Sequence, residues 1–225
     1  MDFNPKYTVT PKLLNNIKEI TRLTTLLNNK RFSKPIKMRL EKNAISLSVY
    51  SSTSIEGNPL PLTEVKIILK NKPEHLRNTE KEVINYNDAL IYLRKNIGKL
   101  ANLNKKLVLD THKKVMKGLL ESDDFENYRK VPVVVNNPRT GEVVYMPPDA
   151  KDVTGLMKSL ITYVNKNKGE IDPIILAGLF HKQFVIIHPF VDGNGRTARL
   201  ITKFLLAGMG LDTFNFVSYE DYYNK

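Results

Sequence analysis

The sequence predicts an all-α fold: a bundle of six to ten helices with one β-hairpin and a helical extension at the N-terminus. Three observations carry that expectation. Apolar residues recur at helical spacing along most of the 225 residues, most cleanly as Val153, Leu156, Met157, Leu160, Ile161 and Val164. Cap-then-proline pairs mark helix starts at Thr10-Pro11 and Asp172-Pro173. One segment breaks the helical pattern. Residues 131–135 and 142–146 are β-branched and extended, and residues 136–141 between them are turn chemistry.

Taken in order, Leu13, Ile17, Ile20, Thr24 and Leu27 follow Pro11 at helical spacing. A second helix, over about 37–56, stops at Glu56-Gly57-Asn58-Pro59, where Gly57 suits a left-handed C′ position. A short helix follows over 63–70. Thr79 and Glu82 have the spacing of a capping box, opening a helix to about Asn96. Asn104 caps another that reaches about Leu119, and Asp149 opens the amphipathic helix. The hairpin over 131–146 offers an edge that can accept an extended peptide. The helix from Pro173 is apolar almost all round, so it should run through the core until Pro189 stops it. A last helix, marked by Leu200, Ile201, Phe204 and Leu205, closes at 208–210. We divide the chain into an N-terminal helical region (1–78), a core (79–211) and a tail (212–225) that reads as the start of a further helix or module.

The net charge is +12. Such an excess attracts polyanions, but the lysines are scattered along the chain, which reads mainly as solvated surface. The absence of cysteine excludes disulfides, zinc–thiolate sites, iron–sulfur clusters and cysteine nucleophiles. The longest apolar stretch, 174–180, is too short for a bilayer, and the start lacks a basic segment followed by an apolar run. The expectation is a soluble cytoplasmic chain with no membrane partner.

Chemistry concentrates in residues 188–199, His-Pro-Phe-Val-Asp-Gly-Asn-Gly-Arg-Thr-Ala-Arg. Gly193-Asn194-Gly195 at a helix entrance lets backbone N–H groups converge, and the helix dipole adds positive potential, so the segment is an anion cradle. Arg196 and Arg199, three apart, project from the first turn with forks suited to phosphate. Asp192 supplies a hard oxygen for Mg²⁺, which needs few protein ligands. A neutral His188 could take a proton from an attacking hydroxyl. Phe190, apolar amid polar residues, should pin the loop to the core. Together these residues point to phosphoryl or nucleotidyl transfer from a Mg–nucleotide. No P-loop pattern is present.

Residues 188–199 resemble the His-x-Phe-x-(Asp/Glu)-Gly-Asn-Gly-Arg-x-x-Arg signature of Fic proteins at every defining position. Asn127-Tyr128-Arg129, Pro147-Pro148 and residues 177–181 are similar to Fic cores as well. The resemblance implies a Fic fold, with activity as a protein adenylyltransferase that moves AMP from Mg-ATP to a Ser, Thr or Tyr hydroxyl. It implies His188 as base and Asp192 as Mg²⁺ ligand. Gly193, Asn194 and Gly195 would hold the α- and β-phosphates, Arg196 the outer phosphates and Arg199 the γ-phosphate. The hairpin would be the flap that binds the target by strand addition, with Val144 and Tyr145 near nucleotide and target. Tyr223 would lie near the base.

Ser52 and Glu56, in Ser52-Thr53-Ser54-Ile55-Glu56-Gly57, resemble the family's inhibitory motif placed before the core. The resemblance implies that Glu56 pairs with Arg199 in place of γ-phosphate, so that the resting protein is autoinhibited. Motion of the 37–56 helix or a change in a homo-oligomer would release it, allowing self-AMPylation. The same glutamate could serve deAMPylation. Two other readings stand beside this one. The donor could be GTP, UTP or CDP-choline, although the intact arginine pair favours a triphosphate. Alternatively the chain is a DNA-binding regulator that lacks its C-terminal module, for which the basic charge is the argument. His112 and His181, in apolar helical contexts, read as core residues.

Overall fold

The computed structural model describes residues 3–98, 102–120, 125, 127–136, 140–211 and 216–224. Helices α1 (Pro11–Asn29), α2 (Lys34–Ile55), α3 (Leu62–Asn71), α4 (Asn78–Asn96), α5 (Lys105–Val115), α6 (Ala150–Asn167), α7 (Pro173–Ile187), α8 (Asn194–Gly208) and α9 (Glu220–Tyr223) form the body. Strands β1 (Val135–Asn136) and β2 (Val143–Tyr145) form the hairpin. The fold is all-α with one small hairpin, as the sequence predicts. Among the described residues no helix is long and apolar enough to cross a membrane.

The caps explain most boundaries. The Thr10 hydroxyl accepts from Leu13 N–H at 3.2 Å, and Asp172 Oδ1 accepts from Ile174 N–H at 2.9 Å. Asn104 caps α5 through Leu107 N–H at 2.8 Å. α2 starts earlier than expected, because Ser33 precedes it with proline in the first turn. Gly57 takes the left-handed conformation expected of it, with φ 92°. The opening of α4 differs from expectation. Glu80, not Glu82, reaches back to the Arg77 N–H at 2.8 Å, so the helix begins at Asn78. Glu82 is bound elsewhere, in the site. α5 stops at Val115 rather than near Leu119.

α8 is the central helix. It packs against α7, α5, α4 and α2, and is buried almost all round. α7, expected to be central from its composition, instead packs on α6 and α8 and leaves Val185 exposed. Most polar residues of α8 find partners inside the protein, so polarity does not bring it to the surface. One continuous core joins Val49 of α2, Val65 of α3, Leu90 of α4, Leu107 of α5, Leu160 of α6 and Phe184 of α7 with Leu200 of α8. Each such fully buried large side chain contributes about 1.5–3 kcal/mol. α1 buries only Ile17.

The hairpin is shorter than expected over 131–146. β1 and β2 pair antiparallel, Val135 with Tyr145 and Asn136 with Val143, with a bulge between Val135 and Asn136. The Val131 carbonyl is taken by the Arg129 guanidinium, and Pro132 has no N–H, so the ladder cannot extend there. The turn residues 137–139 lie outside the described residues. So do 212–215 and 225 of the tail, while residues 220–223 of it form α9.

His112 is buried, as expected, and His181 is half-buried with its Nδ1 3.0 Å from the Thr202 hydroxyl. His112 stacks flat on Phe190, with centroids 3.6 Å apart, and its Nε2 donates to the Asp192 carbonyl at 3.0 Å. Burial pushes its imidazole down to about 4, against the raising effect of the Asp192 carbonyl. His181 is likewise pushed down to about 4, by burial and then by Arg199. Folded protein thus refuses protons that the unfolded chain accepts below the ordinary histidine value. Stability is complete above about pH 6.5 and falls as pH drops towards 4, by up to about 3 kcal/mol for each histidine. Urea unfolding at a series of pH values should show this loss, and His181→Gln should reduce its slope.

Candidate active site

Residues 188–193 form the turn between α7 and α8, and residues 194–199 open α8. Pro189 prevents α7 from continuing, and His188 takes a left-handed conformation, φ 50°, to turn the chain. Such a conformation at a non-glycine residue costs about 1–3 kcal/mol and must be held by its surroundings. Arg129 holds it. Its Nε donates to the His188 carbonyl at 2.8 Å, and its backbone N–H donates to the Pro189 carbonyl at 2.9 Å. Nη1 donates to the Val131 carbonyl at 3.0 Å and Nη2 to Pro148 at 2.5 Å. One buried guanidinium therefore ties both legs of the hairpin to the His188 turn. Beyond it, Tyr145 Oη donates to the Ile186 carbonyl at 3.1 Å, seating β2 on the end of α7, while Val144 is exposed.

The rest of the turn is rigid. Phe190 is buried against His112, Tyr128 and Phe184. Asn194 closes the loop: its Oδ1 accepts from Phe190 N–H at 2.9 Å and its Nδ2 donates to the Phe190 carbonyl at 2.8 Å. The side chain expected on phosphates thus shapes the loop, leaving the backbone N–H of Asn194 at the cradle. Gly193 caps α8 with φ 77°, and a Cβ there would overlap the Met116 side chain. The first intrahelical bond of α8 runs from Thr197 N–H to Gly193 O, so the N–H groups of residues 194–196 have no helical acceptor.

Charged side chains surround this helix start. Asp192 Oδ1 accepts from Gly193 N–H, and both its oxygens stand 3.4 Å from Arg196 Nη2. Arg196 Nη1 is 3.6 Å from Glu82 Oε1. Arg196 is buried, yet its Nε and Nη1 have no hydrogen-bond partner. Arg199 is held through Nε and Nη2. Its Nη2 pairs with Glu56 Oε1 at 2.6 Å and also donates to the Ser52 carbonyl at 2.9 Å, while Nε donates to Ser52 Oγ at 2.7 Å. The Glu56 carboxylate lies over Gly195 so closely that a Cβ there would overlap Oε1. It sits on the N-terminal turn of α8, where an anion is expected.

His188 Nδ1 lies 3.3 Å from the Val185 carbonyl. That contact makes Nδ1 the protonated nitrogen and leaves the Nε2 lone pair free. Burial lowers the His188 pKa, and Arg129 adds to this, against the Val185 carbonyl, Glu56 and Asp192. The imidazole is therefore neutral near pH 7. Among the described residues no three His, Asp or Glu gather into a metal site. Asp192 alone fits a Mg²⁺ that is held mainly by nucleotide phosphates and water.

The structure brings His188, Asp192, Gly193, Asn194, Gly195, Arg196, Arg199, Ser52 and Glu56 to one end of α8. Tyr223 is exposed on α9, and its ring contacts are with Tyr219 and Tyr222 rather than His188. Three participants carried no role at the site in the sequence reading. Arg129 was visible only as part of Asn127-Tyr128-Arg129. Glu82 was explained by its capping spacing. Asn58 donates to Glu82 Oε2 at 2.7 Å and to the Thr79 carbonyl at 2.9 Å, fixing the turn after Glu56 to α4.

A Fic/DOC family model matches residues 102–206. Protein adenylyltransferase Fic of Drosophila grimshawi is 28% identical over 181 residues, covering 76% of this chain and 35% of that protein. The Drosophila melanogaster protein of the same name is 29% identical, with 76% and 34% covered. The chain thus spans about a third of the length of these relatives. Among solved structures, a Fic family protein from Desulfovibrio desulfuricans G20 superposes with TM-score 0.79 at 25% identity, over 99% of this chain and 65% of that one. Fic-1 (aa134–508) from C. elegans gives 0.70 at 25% identity, over 89% and 60%.

Replacing Arg129 by Met keeps volume and leaves the His188, Val131 and Pro148 carbonyls without their donor. Unfolding in urea should then show a loss of about 2–4 kcal/mol. Limited proteolysis should cut first within the hairpin.

Proposed function

We propose that the chain is a Fic family protein and that it acts as a protein adenylyltransferase held in a resting state by Glu56. The observation that carries the reading is the buried Arg196, whose Nε and Nη1 make no hydrogen bond and whose Nη1 has only a 3.6 Å ion pair with Glu82, at an open helix start beside a neutral His188. Buried donors without acceptors are costly unless an anion arrives to satisfy them.

In this reading ATP lays its phosphates along the start of α8. The N–H groups of residues 194–196 hold the α- and β-phosphates, Arg196 the outer oxygens and Arg199 the γ-phosphate. Mg²⁺, held by Asp192 and the phosphates, would neutralise charge developing on the pyrophosphate. A target Ser, Thr or Tyr hydroxyl attacks the α-phosphorus. A bond from the hydroxyl oxygen to that phosphorus forms, the bond to the β-phosphate oxygen breaks, and pyrophosphate leaves. His188 Nε2 takes the hydroxyl proton, a contribution of about 10²–10⁴-fold. Positioning and charge stabilisation supply the rest. The free edge of β2 at Val144 and Tyr145 would bind the target segment by strand addition.

Glu56 opposes this arrangement. Its carboxylate occupies Arg199 and the space above Gly195, which the reading gives to phosphate. ATP bound beside it is misplaced for in-line attack. The same carboxylate, near the α-phosphate site, could orient a water for removal of AMP from a modified target. The triphosphate-sized set of cationic groups supports a nucleoside triphosphate donor over CDP-choline.

The test is intact-mass spectrometry after incubation with Mg²⁺ and each of ATP, GTP, UTP and CTP. Glu56→Gly should gain the mass of one AMP with ATP, while wild type and Glu56→Gly/His188→Ala should not. Absence of ATP binding to Glu56→Gly by calorimetry would refute the transferase reading.

A further inference from the structure

Behind the site, α2 and α8 are joined by a second polar layer that the reaction does not use. Lys203 and Glu220 are fully buried and paired at 3.2 Å. Four elements converge on the Glu220 carboxylate. Ser48 Oγ of α2 donates to Oε1 at 2.7 Å and Tyr86 Oη of α4 at 3.2 Å. Lys203 Nζ of α8 donates to both oxygens, and Ser218 Oγ, just before α9, donates to Oε2 at 3.0 Å. Lys203 Nζ also donates to Ser48 Oγ at 2.9 Å. Burial tends to raise the Glu220 carboxyl, but Lys203 and the hydrogen bonds outweigh it and hold the group below the usual range, so it is ionised.

The spacing relates this layer to Glu56. On α2 the residues are Ser48, Ser52 and Glu56, one turn apart. On α8 the partners are Lys203, Arg199 and Gly195, one turn apart in the opposite direction. Ser48 meets Lys203, Ser52 meets Arg199 and Glu56 overlies Gly195. Tyr219 adds a tie, since its hydroxyl donates to the Arg199 carbonyl. A buried ion pair is a weak source of stability, because desolvation offsets attraction, and its best-attested use is to fix register. A slip of one residue on α2 would turn Ser48 away from Lys203 and Glu56 away from Arg199 together.

We propose that Glu220, acting with Lys203, is a positioning residue for the brake: it fixes the register of α2 on α8 and thereby places Glu56 on Arg199. The proposal rests on the autoinhibited transferase reading. It makes the segment carrying α9 part of the brake, so whatever displaces that segment activates the site.

The experiment compares wild type, Glu56→Gly, Glu220→Gln, Ser48→Ala and the charge-neutral Lys203→Met/Glu220→Gln, each as the full chain with Mg-ATP. AMP incorporation by intact mass should rise about tenfold in the Glu220 variants, within the usual range of coupling between sites. Adding Glu220→Gln to Glu56→Gly should produce no further rise, a pattern that general destabilisation would not give. Hydrogen exchange is read in parallel, and amides of residues 48–56 should exchange faster in the Glu220 variants. If Glu56→Gly incorporates AMP while the folded Glu220 and Ser48 variants stay at the wild-type level, the proposal is overturned. If Glu56→Gly itself fails, the transferase reading is at fault, and unchanged exchange over 48–56 would still overturn the register claim. Should Glu220→Gln not fold, the neutral double variant and Ser48→Ala decide by the same readouts.

Discussion

The contact between Arg199 and the end of α2 organises this protein, because one guanidinium serves three acceptors there. Ser52 gives its hydroxyl and one of the last carbonyls of α2, and Glu56 gives its carboxylate. A helix C-terminus carries partial negative charge and a helix N-terminus partial positive charge. The end of α2 and the start of α8 are therefore electrostatically matched even before Glu56 is counted. Arg199 is buried, whereas the Glu56 side chain is 30% exposed. Under the proposed function that asymmetry matters, because an incoming phosphate would replace the carboxylate without leaving the arginine unpaired. The cost of opening is then the difference between two anions rather than the loss of a buried ion pair.

Everything else at the site serves to keep the start of α8 in place. Phe190 fixes the loop to the core through His112, and Asn194 closes it on itself. Arg129 joins the His188 turn to the hairpin legs. Asn58 and Glu82 tie the turn after Glu56 to α4. None of these contacts is on the reacting atoms. They restrict the backbone so that a few N–H groups, one imidazole and two guanidinium groups face a common space, the preorganisation that electrostatic catalysis requires. A central helix with this many polar residues is tolerated because almost all of them are paired within the protein, the exceptions falling on Arg196 and the Thr197 hydroxyl.

The elements with local signals were legible in the sequence. Thr10, Asn104, Asp172 and Gly57 act as their chemistry predicts, and residues 188–199, expected from types and spacing to gather at a helix entrance, lie at the start of α8. What the sequence hid depends on contacts between distant residues. Lys203 and Glu220 look like surface charges until the fold buries both. Thr79 and Glu82 match a capping pattern, yet the cap forms two residues earlier, where Glu80 accepts from the Arg77 N–H and Glu82 is left to bind Asn58. Apolar composition suggested α7 as the central helix. The centre is α8, whose polarity is satisfied internally and so gives no sign of burial. Asn194 had a plausible role on phosphate, but a local loop closure uses both ends of its amide.

Competition between Glu56 and a terminal phosphate for Arg199 is the central claim, and calorimetric affinities of ATP and ADP for wild type and Glu56→Gly test it most directly. If the two anions share one guanidinium, removing the carboxylate should tighten ATP binding more than ADP binding, so the preference for ATP should grow. An ATP-to-ADP affinity ratio equal in the two proteins would contradict it.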